Sequence, residues 1–594
     1  MPSHSLVVAA AVAWLIELGA LVLPPVALLG LAGCGGLPGQ PMPVADPWFT
    51  DQAEASGLDF THFNGASGRF YYPEILPPGV ALLDYDNDGD LDAYLVQGRM
   101  LGANQPREQA SIAPHPQLPL KGRLFRNDLQ VAADGTRVLH FTDVTERSGI
   151  SAQGYGMGVA TGDVDNDGWV DLYLTNFGPG QLFRNQGDGT FAEVSRQSGI
   201  DDPDGFGVSA SFLDFDRDGW LDLYVGNNVT YAIENETPCP NMAGERDYCP
   251  PQVYGGQRDR LYRNRGGGRF EDVTARALVG GKFGPALGVS AADFNGDGWV
   301  DIYVANDGTE NLLWINQQDG TFKDTALPAG AAVNEVGRPE ASMGVDAGDF
   351  DNDGDEDLFM THLTGEGNNL YVNDGPGRFV DRSAPSGLGP LSLSYTGWGT
   401  AWIDFDNDGW LDLFTVNGTI VKVHGRARQP FPYDQKKLLF RNRGDGRFED
   451  VTSRAGAAFE LSEAGRGAAC GDVDNDGDID VLVGNNSGRA RLLINGVGNR
   501  HHWLGLRLVG KDRPRDLVGA VVTVTRPGAP AIRRRVRADG SYASAHDPRV
   551  LVGLGASAEA PSLRVRWPDG RVETWSGVNP DRWTTITEGS GTRQ

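Results

Sequence analysis

Between residues 48 and 499 the apolar positions fall in short runs broken by Gly, Asn and Asp, and the runs return in a fixed order. One unit shows it. Phe141-Thr-Asp-Val-Thr145 leads to Ser148-Gly149-Ile150, and the small-residue run Gly156 to Gly162 follows. An acidic loop intervenes, then Leu172-Tyr-Leu-Thr-Asn176, then Leu182-Phe-Arg-Asn185. The turn Gly187-Asp-Gly189 passes into Thr190-Phe191, where the next unit starts. Short β-type runs separated by turn residues predict four short strands per unit. Segments with helical periodicity are scarce.

The third-strand signature returns as Leu124-Phe-Arg-Asn127, Leu261-Tyr-Arg-Asn264, Leu312-Leu-Trp-Ile-Asn316, Leu370-Tyr-Val-Asn373, Leu439-Phe-Arg-Asn442 and Leu492-Leu-Ile-Asn495. The closing strand returns at Phe270, Phe322, Phe379 and Phe448. The acidic loops begin at Asp84, Asp163, Asp214, Asp293, Asp349, Asp404 and Asp472, so successive starts differ by 79, 51, 79, 56, 55 and 68 residues. A floor near one four-stranded unit with variable excess predicts radial repetition with insertions. We expect an all-β chain with a seven-bladed β-propeller; a linear solenoid is the alternative. Phe49-Thr50-Asp51 precedes the first loop, so the N-terminal strand is expected to complete the blade that holds Asp472.

Each loop places oxygen donors at positions 1, 3, 5, 7 and 9, with Gly at position 6 for a sharp turn. The candidate ligands are Asp84, Asp86, Asp88, Asp90 and Asp92; Asp163, Asp165, Asp167, Trp169 and Asp171; Asp214, Asp216, Asp218, Trp220 and Asp222; Asp293, Asn295, Asp297, Trp299 and Asp301; Asp349, Asp351, Asp353, Asp355 and Asp357; Asp404, Asp406, Asp408, Trp410 and Asp412; and Asp472, Asp474, Asp476, Asp478 and Asp480. At position 7 the backbone carbonyl is the donor, because the side chain there varies. Oxygen-only donors at this density suit calcium before magnesium. The front half matches an EF-hand loop, but the last acid comes at position 9 rather than 12. Up to seven structural calcium ions are expected. Solvated Asx turns are the alternative reading.

The formal net charge is −28. Seven divalent ions would add about 14 positive charges, so the acidity belongs largely to the loops. An acidic chain of this kind is not expected to bind nucleic acid.

Residues 6–33 are apolar apart from Glu17 and are interrupted at Pro24-Pro25. This suits an export signal over 1–33 better than a spanning helix. Leu31-Ala-Gly-Cys34 resembles the bacterial lipobox, which implies cleavage before Cys34, a lipid on its thiol and a membrane anchor. Gly35 in place of Asp implies sorting to the outer membrane or cell surface rather than the inner membrane. Residues 34–47, rich in Gly and Pro, read as a flexible tether. In an exported chain, Cys239 and Cys249 are expected to form a disulfide, and Cys470 is expected to be a buried thiol.

The repeats resemble the FG-GAP/VCBS repeats of integrin-α-like propellers over residues 48–499, which implies that calcium staples the loop between the first two strands of each blade. From residue 500 to 594 a small β-rich domain resembles ASPIC/UnbV at Trp503-Leu504, Gly519-Ala520, Gly540-Ser541-Tyr542, Gly553-Leu554-Gly555 and Val565-Arg-Trp-Pro568. Together they resemble the cartilage acidic protein family. Arg533-Arg-Arg535 and Arg537 are expected either to meet an anionic glycan or phosphate surface or to form an ordinary solvated strand face. His501-His502 stand at the domain junction. No nucleophile, zinc or nucleotide constellation is recognisable. The expected role is an exported, lipid-anchored, calcium-stabilised scaffold for an extracellular protein or glycan partner, not an enzyme. The alternative is a polysaccharide-lyase-like enzyme on the same propeller.

Overall fold

The computed structural model describes residues 47–102, 105–112, 118–200, 202–241, 243–422 and 432–594. The export signal, Cys34 and nearly all of the tether lie outside the described residues.

Seven sheets form among the described residues, each built around one acidic loop and antiparallel except where Leu278–Val279 adds a parallel edge to blade 4. Blade 1 runs Val80–Leu83, Asp92–Leu95, Arg123–Asn127 and Phe141–Asp143 from the inside outward. In blade 2 the continuous strand Asp171–Asn185 pairs on one side with Tyr155–Gly162 and on the other with Phe191–Glu193. Blade 7 joins Gly465–Gly471, Asp480–Asn485 and Arg491–Asn495 to the N-terminal strand Phe49–Asp51. Phe49 pairs with Asn495 and Asp51 with Leu493. The N-terminal strand therefore completes the last blade, as its motif implies. The innermost strands of successive blades are neighbours all the way round, blade 7 to blade 1 included. Radial closure leaves no long open sheet edge.

The small-residue runs form the innermost strands because larger groups do not fit there. A Cβ on Gly158 would stand 2.5 Å from the Val208 carbonyl oxygen and 2.7 Å from that of Ala543. The Ser-Gly-Ile motif also has a local cause. Thr145–Ser148 makes one helical turn after the fourth strand, and Gly149 ends it at φ 75°, a left-handed position that favours glycine.

The C-terminal residues form two sheets. One pairs Val550–Gly555 with His502–Val509, which also lies parallel to Trp583–Thr587. The other orders Ile532–Arg535, Val521–Thr525, Ser562–Arg566, Val572–Trp575 and Thr592–Arg593. Leu504, Leu506, Val522, Val565 and Trp567 pack in their common core.

This module sends the segment Arg535–Asp547 down the propeller's central channel, where it bonds to the innermost strand of every blade. Leu82 N–H donates to the Ala545 carbonyl (3.1 Å), and Val159 N–H to that of Ala543 (3.0 Å). Ala543 N–H donates to Ser209 Oγ (2.9 Å), and Ala291 N–H to Asp539 Oδ2 (2.5 Å). Val345 N–H reaches the Ser541 carbonyl (3.0 Å), and Thr400 N–H reaches Ser541 Oγ (3.2 Å). Cys470 N–H donates to His546 Nδ1 (3.0 Å). Backbone groups that line a propeller axis need partners when buried, and this segment supplies them. Tyr542 sits at its tip, fully buried, with its ring centroid 4.9 Å from that of Trp398 and its hydroxyl donating to the Leu76 carbonyl (3.0 Å).

Tyr542→Ala should therefore remove about 3–5 kcal/mol of stability, the usual cost of truncating a buried aromatic. Thermal and urea melts check this; a melt unchanged from wild type would show that the segment only rests in the channel.

Candidate metal centres

The acidic loops join the first two strands of each blade, so they all lie on one face of the ring. Their shape is set by hydrogen bonds within each loop. The position-1 carboxylate accepts from the position-6 glycine N–H: Gly168 to Asp163 (2.8 Å), Gly219 to Asp214 (3.0 Å), Gly409 to Asp404 (2.9 Å) and Gly477 to Asp472 (2.9 Å). The position-5 carboxylate accepts from the position-7 N–H, as Trp169 to Asp167 (3.0 Å) and Trp299 to Asp297 (2.8 Å).

The position-9 aspartates are buried, and each ties two strands together. Asp171 Oδ2 accepts from Val164 N–H (2.9 Å), and its Oδ1 accepts from Asn185 N–H (2.8 Å). The same pair of bonds holds Asp92, Asp222, Asp301, Asp357, Asp412 and Asp480. The group expected as a ligand is thus also a backbone staple. Each of its oxygens keeps a second lone pair for a cation.

Two rings of side-chain bonds link the loops between blades, and the sequence reading missed both. The first uses the asparagine that ends each third strand. Asn185 Nδ2 donates to the Tyr85 carbonyl of the preceding blade (2.8 Å), and Asn264 to that of Val164 (2.8 Å). Asn316, Asn373, Asn442 and Asn495 repeat this, and Asn127 closes the ring on Val473 (3.1 Å). The second uses position 4, where every non-glycine residue has positive φ. Asn87 donates to the Gly168 carbonyl (2.9 Å), Asn166 to Gly219 (2.9 Å), Asn352 to Gly409 (3.2 Å), Asn407 to Gly477 (2.8 Å) and Asn475 to Gly89 (3.2 Å). Arg217 does the same to Gly298. In blade 4 the residue is Gly296, which has no side chain, and Arg533 from the C-terminal module reaches the Gly354 carbonyl instead. The signal was present in the recurrence of Asn at both positions. Asparagine tolerates the left-handed region.

In loops 1, 2 and 6 the carboxylate oxygens of positions 1, 3 and 9 lie within 4.8 Å of one another; in loops 3 and 5 those of positions 1, 3 and 5 do. Buried oxygens of Asp84, Asp86, Asp165, Asp216, Asp293, Asp349 and Asp406 have no hydrogen-bond partner among the described residues. Orphaned buried carboxylate oxygens aimed at a common point fit a hard cation. The position-7 side chains turn elsewhere; Asp90 Oδ1, for example, accepts from Asn475 (2.9 Å). Burial above all, with repulsion from neighbouring carboxylates, pushes Asp84, Asp163 and Asp214 up to about 6 and Asp404 up to about 8.

The C-terminal module covers this face. Arg507 pairs with Asp84 (3.3 Å) and Arg566 with Asp293 (3.0 Å). Arg513 donates to the Asp167 carbonyl (3.2 Å), Gly555 N–H to that of Asn407 (2.8 Å), and Trp583 Nε1 to Asp472 Oδ2 (3.0 Å). His501 meets the Asp406 carbonyl (2.6 Å). The arginine strand is not an ordinary solvated face; it packs against the propeller. Arg537 pairs with buried Asp346 through both of its terminal nitrogens (2.5 and 2.8 Å), and Arg535 lies 3.5 Å from Glu356. Alternation along a strand does not reveal what the strand packs against, so the sequence left this contact hidden.

The expected disulfide is present between Cys239 and Cys249, with Cα atoms 5.2 Å apart. Cys470 is a buried free thiol.

The FG-GAP-like repeat family matches residues 163–225, 253–304, 293–360, 349–415 and 432–483, and ASPIC and UnbV matches 510–593. Cartilage acidic protein 1 of Mus musculus is 27% identical over 584 residues, covering 94% of this chain and 78% of its own. Among solved structures, an Agrocybe aegerita lectin that recognises non-reducing terminal N-acetylglucosamine aligns with TM-score 0.35 and 16% identity, over 59% of this chain and 84% of its own. A Bacillus licheniformis rhamnogalacturonan lyase aligns with TM-score 0.28 and 10% identity, over 70% and 89%. At these scores neither carries an argument about function.

A pH prediction follows from the raised carboxylates. Their folded values exceed the roughly 3.9 of an unfolded aspartate, so in metal-free protein they favour folding below about pH 4. That contribution is lost as pH rises through 6 to 8. Metal-stripped protein should melt at a lower temperature at pH 8 than at pH 5, while the stabilisation added by calcium grows over the same range. Melts at the two pH values, with and without calcium, check both signs.

Proposed function

This chain belongs to the proteins that join FG-GAP-like repeats to an ASPIC and UnbV domain, and from that premise we propose that it is an exported, calcium-stabilised scaffold for an extracellular protein or glycan. Export over residues 1–33 and lipidation at Cys34 belong to this reading.

One observation carries it. The loop face and the channel are filled by the chain's own C-terminal module, whereas the long insertions between second and third strands lie at the opposite ends of the blades. Among the described residues, the insertions of blades 3 and 6 meet each other. The Tyr248 ring meets Phe70, which precedes blade 1, edge-on at 5.2 Å and lies tilted to Tyr433 at 5.8 Å, and its hydroxyl donates to Glu74 (2.9 Å). Asp247 accepts from Lys422 N–H (3.2 Å) and from the Tyr433 hydroxyl (2.8 Å). The disulfide braces the same insertion. Rigid loops on a rigid frame suit recognition. A lyase would need an open groove with a converged base, and the channel is occupied by Arg535–Asp547.

Replacing residues 239–249 with a short glycine linker should abolish partner capture in a glycan-array and pull-down screen while leaving calcium-dependent melting intact. Undiminished capture would move the binding surface elsewhere, and turnover of a polysaccharide would overturn the scaffold reading.

Calcium is proposed as a folding ligand. Extracellular calcium modules bind at about 10⁻⁴ to 10⁻³ M, so millimolar calcium at seven sites adds on the order of several kcal/mol. Chelation should lower the melting temperature steeply, calcium should restore it, and magnesium should substitute poorly. Coincident melts with and without chelator would reduce the loops to acidic turns.

A further inference from the structure

A cavity of about 120 Å³ lies between the loops of blades 5 and 6 and the arginine strand of the C-terminal module. That is several times what one water needs. Its wall includes Arg534, Arg535, His546, Asp349, Glu356 and Asp404. Arg534 Nε, Arg535 Nε, Arg535 Nη2 and His546 Nε2 are all buried and have no hydrogen-bond partner among the described residues. His546 Nδ1 faces the Cys470 N–H and must accept from it (3.0 Å), so the ring carries its proton on Nε2. All four orphans are therefore donors.

The acceptors of the wall do not match them. Asp404 accepts from the Asp408 and Gly409 N–H groups (2.9 Å each), and both Asp404 and Asp349 hold position 1 of a metal loop. With calcium in those loops their charge is committed, and to that extent the inference rests on the calcium reading. Glu356 forms an ion pair with Arg535 Nε at 3.5 Å and Asp539 lies 3.7 Å from Arg535 Nη1, but neither gives Arg535 Nε or Nη2 a hydrogen bond. The Arg537 guanidinium is engaged by Asp346. The bonds that Arg534 makes go to backbone carbonyls and an amide oxygen, not to a carboxylate.

Buried unpaired donors on guanidinium groups are costly, and arginine forks match oxyanion geometry. A water filling the cavity would bring two further donors into a site already short of acceptors. A tetrahedral oxyanion brings mostly acceptors: sulfate has no donor, and hydrogen phosphate has one against three unprotonated oxygens. We propose that this cavity binds one small oxyanion of the phosphate or sulfate class, held by Arg534, Arg535 and His546. Because both domains build the wall, the bound ion clamps the C-terminal module onto the propeller.

The test is calorimetry and thermal melting of the calcium-saturated full chain with sodium phosphate, sodium sulfate or sodium chloride at matched ionic strength. Phosphate or sulfate should bind one per chain and raise the melting temperature, and chloride should do neither. Whichever oxyanion binds more tightly identifies the source. Arg534→Gln, compared with unaltered protein at the same saturating calcium, should weaken oxyanion binding about tenfold or more, equivalent to the loss of one good charge-assisted hydrogen bond. Should that variant not fold, ion analysis of unaltered protein, dialysed against the ion and then acid-unfolded, should release one equivalent. A flat isotherm, unmoved melts and no released ion, with calcium still stabilising, would show a water-filled cavity and overturn the proposal. If calcium fails to stabilise but the oxyanion still binds one per chain, the calcium reading falls and this site stands.

Discussion

The buried aspartate that ends each loop constrains everything built around it. Asp171 and its six counterparts each hold the second residue of their loop and the end of the third strand of their blade with one carboxylate. A carboxylate so deeply buried is costly unless its charge is answered. Here the answering groups are backbone N–H donors and the space between the loop carboxylates, where orphaned oxygens converge. A cation placed there would turn mutual repulsion into the attraction that fixes the loop.

From that loop the order propagates round the ring. The third-strand asparagine reaches back to the loop of the preceding blade, and the position-4 residue reaches forward to the next. Each loop is thereby tied to both neighbours, and the tie from Asn127 to Val473 closes the circle. The C-terminal module completes the same network. Arg533 supplies the bond that Gly296 cannot, and Arg535–Asp547 satisfies the inner strands from within the channel. The acidic loops and the docked module are consequently parts of one bonded network, and the insertions lie on the opposite face.

Much of this was legible in the chain. Four strands per unit, small residues at the axis and the pairing of Cys239 with Cys249 follow from local rules, and the completing role of Phe49–Asp51, though it pairs with Leu493–Asn495, was readable from the repeat register. What stayed hidden was long-range. Asn185 looks like part of a strand signature until its partner 100 residues away is seen. Gly540-Ser541-Tyr542 matched a family pattern, but nothing local says that it enters a channel built by other blades. Arg534 and Arg535 alternate as strand residues do, and only packing shows that they face the acidic loops. Residues 1–46, with Cys34, lie outside what the structure describes.

The most direct test counts calcium ions on the intact folded chain by native mass spectrometry, before and after exchange into chelator. The account predicts several bound calcium ions, up to seven, lost together on chelation because the loops are tied in one ring, with the charge distribution shifting to that of an opened chain. A mass equal to the bare polypeptide in millimolar calcium, with an unchanged charge distribution, would contradict it.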